Sequence, residues 1–375
     1  MNMKKIISLL LFLVLGFSLQ AKVLTVSNNP SRPAQYATFV TAQTAAVDGD
    51  TIYIHGSPFT YPTISISKRL VLIGAGYNPN NQFGQPTVIT SIEFFNDSGL
   101  PNPSGSVLTG MLITGSVNCT GTERTNNIRI FRCQINSYIY LSAPSSTFVD
   151  GWVVYNNIVQ YFYAGTTTRT QAGPTNIIIA NNIIRGYVGY ITSSSTLVDH
   201  NIFLGSGNNN QYLFNVILSN NIYIRSSGNA VYQSVLCTYN NNLSNQTTIG
   251  APADYNPSNN FVATFLGSGG GSNSGGGNQI GVDPLFENVT NNDTYNNTFN
   301  YRLKTGSPGK NAGTDGTDLG IYGGSYPFPS GGAVGSGFDT SPMPPIPQVT
   351  EMNILNATVP VNGTLNVNIK AKVNN

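Results

Sequence analysis

The sequence predicts an all-β solenoid of the parallel β-helix kind, and three observations predict it. A short unit recurs: Asn156-Asn157-Ile158, Asn181-Asn182-Ile183, His200-Asn201-Ile202, Asn220-Asn221-Ile222 and Asn240-Asn241-Asn242-Leu243, each preceded by an apolar run such as Trp152-Val153-Val154. Between Asn157, Asn182, Asn201, Asn221 and Asn242 the steps are 25, 19, 20 and 21 residues, the length of one rung of a coil. Composition is the third: charged residues make up 9% of the chain, against about a quarter in ordinary globular domains, and glycines number 40. Asn tolerates a left-handed bend better than any residue but Gly, and its amide can bond to the same amide one rung away. The unit therefore predicts a polar ladder at a corner, with the following Ile residues stacked just inside it.

Taken from the start, residues 1–5 are basic, residues 6–19 form a 14-residue apolar run, and Gln20-Ala21 ends in a small residue. That order is an export signal, too short for a membrane span, so residues 1–21 are expected to be removed and the protein to be secreted or displayed at the cell surface. The formal charge of +2 includes Lys4 and Lys5, so the remainder is near neutral and offers no electrostatic case for nucleic acid or an anionic membrane. Residues 33–50 read as a short amphipathic helix opened by Pro33 and closed by Asp48-Gly49-Asp50, placed to cover the first rung. Apolar runs at Thr51-Ile52-Tyr53-Ile54, Leu70-Val71-Leu72-Ile73 and Val88-Ile89 then fall 18 to 19 residues apart. Gly110 and the unit Cys133-Gln134-Ile135, aligned through Gln134, carry the repeat towards Asn157, for roughly nine or ten rungs between Thr51 and Asn242.

Residues 267–277 are almost all Gly, Ser and Asn and read as a flexible excursion. After them, Asp283-Pro284-Leu285-Phe286, Gly306-Ser307-Pro308 and the stretch from Asp315 to Gly324 read as one or two irregular coils closing the far end, so that the β-helix domain spans 22–328. Residues 329–347 are a Pro/Gly/Ser linker. In residues 348–375, Leu365, Val367, Ile369, Ala371 and Val373 alternate with polar residues behind an Asn362-Gly363 turn, the pattern of a β-hairpin. Two strands alone are marginal in water, so this hairpin is expected to pack on the solenoid, to begin a β-sandwich, or to add a strand to a partner.

The leader, the helix ending in Asp48-Gly49-Asp50-Thr51-Ile52-Tyr53-Ile54, the Asn-Asn-Ile units and the closing Asp283-Pro284-Leu285-Phe286 resemble secreted bacterial right-handed parallel β-helix proteins of the pectin lyase-like superfamily. The resemblance covers roughly 22–328 and implies fold more than activity, because that superfamily holds lyases, hydrolases and adhesins. A lyase of this kind would need a Lys or Arg base beside acidic residues holding calcium, and a hydrolase would need clustered carboxylates. Between Gly151 and Gly250 the only carboxylate is Asp199. The best catalytic set is Arg185, Asp199 and His200, with Arg225 two rungs from Arg185, as a polysaccharide lyase acting on a uronate glycan. Counted from the ladder Asn, the arginines and the Asp-His pair fall on opposite sides of one corner, so His200 reads first as a structural substitute for Asn and Asp199 as a cap for corner amides. Asp150 reads as a turn residue. Asp315 and Asp318 are weak candidate calcium ligands, better explained as turn chemistry.

Cys119, Cys133 and Cys237 have no metal-ligand spacing; they read as small buried side chains, with a Cys119 to Cys133 bridge as the alternative. The aromatic pattern is more informative. Tyr138 and Tyr140 alternate with Ile139 and Leu141, Tyr161 and Tyr163 flank Phe162, and Tyr187 follows on the next rung. With the apolar members inward, the tyrosines form an outward, stepped column, either a platform for a carbohydrate or other surface polymer or a stack that stabilises the sheet.

Overall fold

A computed structural model describes residues 21–77, 85–142, 148–168, 170–247, 261, 272–289, 294–328, 348–354 and 363–372. The expected leader, apart from Ala21, and the expected linker 329–347 lie outside the described residues. The chain is a right-handed parallel β-solenoid built on two long sheets. One has ten strands in strict chain order from Val23–Val26 to Thr238–Asn240, each paired in parallel with its counterpart on the next rung. Nine of these lie from Thr51–Ile54 onward and bound about eight turns of the coil. The second sheet, of fourteen strands, takes up the chain after the corner.

At that corner the two Asn residues of each unit divide the work. The first adopts the left-handed bend: φ is 56° at Asn156, 52° at Asn181 and at His200, 60° at Asn220 and 51° at Asn241. The second points inward and forms the ladder. The amide oxygen of Asn182 accepts from both the backbone N–H and the side chain of Asn157, each at 3.0 Å, and the pattern repeats through Asn201, Asn221 and Asn242. The ladder continues one rung further than the sequence suggested, because Asn242 donates to Asn278. Of the expected excursion, 267–271 lie outside the described residues, and 274–277 are the last bend of the coil: Ser274 bridges Thr238, and Gly277 takes the bend at φ 71°.

Other alignments also shift. Gln134 pairs with Ile158, so Cys133 holds the ladder position, where its N–H donates to Asn157 Oδ1. Val88–Ile89 belongs to the second sheet, paired with Leu112–Ile113, so it is not a further copy of the Thr51–Ile54 run. The helix is seven residues long, Phe39–Ala45, capped by the Thr38 hydroxyl. Its Gln43 donates to Ser65 O and accepts from Ser67 N, using the free edge of Ile64–Ile66, the first strand of the second sheet.

The Ile stack faces the other way from expectation. Alternation from the inward Asn sends the next residue outward, and the solenoid interior is filled instead by Val159, Ile184, Phe203 and Tyr223, with Phe203 and Tyr223 stacked at 4.6 Å. Ile158, Ile183, Ile202, Ile222 and Leu243 are nevertheless fully buried, because the C-terminal part of the solenoid chain covers them with Phe286, Leu303, Leu319, Ile321 and Phe328. That segment does not coil over the far end. After an antiparallel pair, Phe286–Asn288 with Asn300–Leu303, it runs back along the corner as a strap. The outward side chains of the bend column hold it: Asn241 donates to Ala312 O, Asn220 to Thr314 Oγ1, Asn181 to Ile321 O and Gly323 O, and Asn156 to Pro327 O. Gly320 is required by this contact, since a Cβ there would lie 2.9 Å from Ile222 Cδ1 at a φ of 75°.

All three cysteines are free and buried, so the alternative Cys119 to Cys133 bridge is not formed. The C-terminal hairpin pairs Gln348–Ile354 with Val367–Lys372.

Candidate functional site

The outward face of the second sheet gathers the tyrosines. Register places Tyr138, Tyr161 and Tyr187 side by side, because bulges after Ile135 and Val159 absorb the unequal steps between rungs. Their rings stack at 4.7 Å and 4.6 Å between centroids. Gly186 makes room for this column, since a Cβ there would sit 2.3 Å from Tyr161 Cε1.

A second column is longer than the sequence suggested. Tyr140, Tyr163, Tyr190, Tyr212 and Tyr232 follow one another at 5.8, 5.0, 4.7 and 5.8 Å. In register with Tyr163 stands Gly189, and the ring is supplied instead by Tyr190, whose φ of 60° turns it outward; Tyr212 does the same at 54°. A left-handed conformation costs an aromatic residue about 1–2 kcal/mol, a strain the stack offsets. Tyr190, Tyr212 and Tyr232 escaped an alternation count because the left-handed residues break it. Their spacing of 27, 22 and 20 residues from Tyr163 onward was the available signal.

Every one of these eight tyrosines is half-buried, mostly by its neighbours. Most ring faces are occupied within the columns, with Tyr140–Tyr163 and Tyr212–Tyr232 meeting edge to face, so ring edges and hydroxyls form most of the surface. Burial first, then the Tyr138 hydroxyl and the other rings, push the Tyr187 phenol well above its usual range, and burial does the same for Tyr140 and Tyr190. These three hydroxyls therefore stay neutral at physiological pH.

The catalytic candidates are not assembled. Arg185 lies beside the tyrosine columns, its guanidinium donating to Asn136 Oδ1 at 2.9 Å and Ile135 O at 3.3 Å, and burial lowers its pKa. Arg225 is 1% exposed, and burial brings its pKa down to about 10. Asp199 and His200 sit under the strap: His200 Nδ1 is 2.8 Å from Asp199 Oδ2 and Nε2 is 3.2 Å from Thr317 Oγ1, while Asp199 Oδ1 accepts from Asn220. No hydrogen bond or ion pair links Arg185 to that pair among the described residues. The imidazole packs against Gly323 and Gly324, where a Cβ would come within 2.8 Å and 2.7 Å of it. His200 thus fastens the strap from the position other rungs give to Asn.

Asp315 and Asp318 serve the same strap. Asp315 Oδ1 accepts from the Thr317 N–H and hydroxyl, and Asp318 binds Lys310 Nζ at 2.8 Å and the Asn311 N–H. Among the described residues no three His, Cys, Asp or Glu side chains are grouped to hold a metal. Asp150 links rungs, accepting from Thr175 and Asn176. Compared with known proteins, the chain matches no family model and no curated sequence. Among the described residues no helix is long and apolar enough to cross a membrane.

Proposed function

We propose that this is an exported, non-catalytic β-helix that binds a carbohydrate or another surface polymer along the tyrosine flank. The observation that carries the reading is the run of eight outward tyrosines in two columns on one face. Neighbouring strands stand about 4.8 Å apart, so the hydroxyls repeat along the axis at a spacing matched to a linear polymer rather than to one small molecule. Because most ring faces are used within the stack, recognition runs through hydroxyls and ring edges, with Tyr138, Tyr140, Tyr161, Tyr163 and Tyr187 at its centre. Export rests on the leader pattern of residues 1–21. The test is retention on a glycan array: Tyr161→Phe with Tyr163→Phe keeps the stack and removes two hydroxyls. Weakened binding supports the reading, and unchanged binding sinks it.

A second reading is favoured by the C-terminal hairpin. Met352 pairs with Ile369 and Ile354 with Val367, which puts these apolar residues on one face, and Met352, Ile354 and Ile369 are 59%, 60% and 53% exposed. A two-stranded ribbon with an open apolar face is suited to completion by a partner strand or sheet, as in a structural module of a surface assembly. Deleting residues 348–375 should abolish association and leave the solenoid folded; assembly that persists rules this out.

A further inference from the structure

Upstream of the tyrosines, past the ends of the second-sheet strands Ile92–Phe95 and Val117–Thr120, lies a cleft of about 520 Å³. Its walls are the two loops that follow Ile92–Phe95 and Val117–Thr120, and Asn96, Asp97, Asn102, Glu123, Arg124 and Asn126 face into it. The loops are fastened to each other before any ligand arrives. Glu123 N donates to Asn96 O, Asn96 Nδ2 to Arg124 O, and the Thr122 N–H and hydroxyl to Asp97 Oδ1. Asn102 and Ser104 brace Asn126 from behind: Ser104 N donates to Asn102 Oδ1, and Asn126 N to Ser104 Oγ.

The lining chemistry narrows the ligand. In a chain with 9% charged residues, two carboxylates and a guanidinium converge here, and none forms an ion pair with another among the described residues. Asn126 Oδ1 is buried without a hydrogen-bond partner, an acceptor whose desolvation is uncompensated in the protein alone. No aromatic ring lines the cleft, and Leu100 is its one large apolar side chain. A strong anion meets Asp97 and Glu123, a strong cation meets Arg124, and an apolar ligand finds little surface. The volume falls in the range of small-molecule sites, about 300–1,000 Å³, and far exceeds a single ion. A neutral molecule dense in hydroxyls satisfies all of these groups at once, donating to the carboxylates and the Asn126 oxygen and accepting from Arg124 and the amides.

We propose that this cleft is a binding site for a neutral mono- or disaccharide unit, independent of the tyrosine flank. The experiment is saturation-transfer NMR on the full chain with glucose, galactose, mannose, N-acetylglucosamine and cellobiose, followed by titration of whichever sugar responds. Glu123→Gln and Arg124→Gln, both exposed and outside the loop-fastening side-chain bonds, should each weaken binding about tenfold, the effect of losing one charge-assisted hydrogen bond. Tyr161→Phe with Tyr163→Phe should leave it unchanged, which separates this site from the flank. No saturation transfer from any of the five sugars overturns the proposal, as does transfer that neither cleft variant reduces. Binding of calcium alone that Glu123→Gln abolishes, with no sugar response, overturns it in favour of a cation site.

Discussion

Asn201→Ala removes a central member of the ladder, and the structure sets the cost. Asn201 is fully buried. Its Oδ1 accepts from the Asn182 backbone N–H at 2.8 Å and from Asn182 Nδ2 at 3.1 Å; its own Nδ2 donates to Ile179 O, Asp199 O and Asn221 Oδ1 at 2.8 to 3.0 Å. Truncation orphans the Asn182 backbone N–H, worth about 1–3 kcal/mol for a buried donor, and forfeits the amide's own bonds at about 1 kcal/mol each. Allowing for shared donors and relaxation, the loss is about 3–5 kcal/mol, a large part of the ~5–15 kcal/mol that holds a typical domain folded. Asn157 is the informative comparison. It begins the ladder, and its Oδ1 accepts only the Cys133 N–H, because a thiol replaces the amide above it. Asn157→Ala should therefore cost about 1 kcal/mol less. Urea unfolding followed by far-ultraviolet circular dichroism, with the denaturant slope fitted for each variant, measures both. A loss below about 1 kcal/mol at Asn201, or a larger loss at Asn157, refutes the ladder as a stabilising device.

Gly186→Ala drives a methyl into Tyr161 and should weaken the near-ultraviolet tyrosine signal and cost about 1–3 kcal/mol of stability; an unaltered spectrum contradicts the packing described for the first column. Burial raises the thiols of Cys133 and Cys237 from 9.0 to about 12. The folded state then holds protons that the unfolded chain releases, so stability is unaffected below pH 9.0 and falls as pH rises from there to about 12. The double variant Cys133→Ala with Cys237→Ala should show a shallower alkaline decline in urea midpoint than wild type, and identical slopes would falsify the assignment. Ile321→Asp places a charge where the strap meets Ile183 and Ile202, and should raise the fluorescence of an apolar dye while the sheet signal persists. Dye binding equal to wild type means that the strap does not cover that column.

Much of the solenoid was legible because its corner is written in side chains. Each second Asn must meet the same amide one rung away, which leaves a residue type at a fixed interval. What was hidden followed from backbone parity. The left-handed residue at each bend resets the alternation, so Ile158 and its counterparts read as interior although they face out, and Tyr190 and Tyr212 were not counted with Tyr163. Cys133 was misaligned by one because a thiol in an amide ladder carries no sequence signature. Tyr138, Tyr140, Tyr161 and Tyr163 were visible as alternation, Tyr187 by its place on the next rung, and a stack was one of the two readings; what was hidden is the register, since bulges bring Tyr187 beside Tyr161. Nothing in the sequence joined residues 96–102 to 123–126, because loop walls are defined only once two rungs are superposed.

The strap has a consequence for the order in which the molecule is made. Its anchors, from Asn241 back to Asn156, lie up to 171 positions away along the polypeptide, and none of them exists as a recess until adjacent coils are in place. Loop closure over such a distance gains nothing until its destination is complete, so the strap is expected to dock after the coils. A chain that skips or misthreads one middle coil presents the bend residues at the wrong interval, and the tail finds no continuous seat. Final docking thereby acts as an inspection of every coil beneath it, and a molecule that fails leaves a greasy seam open to proteolysis or clumping.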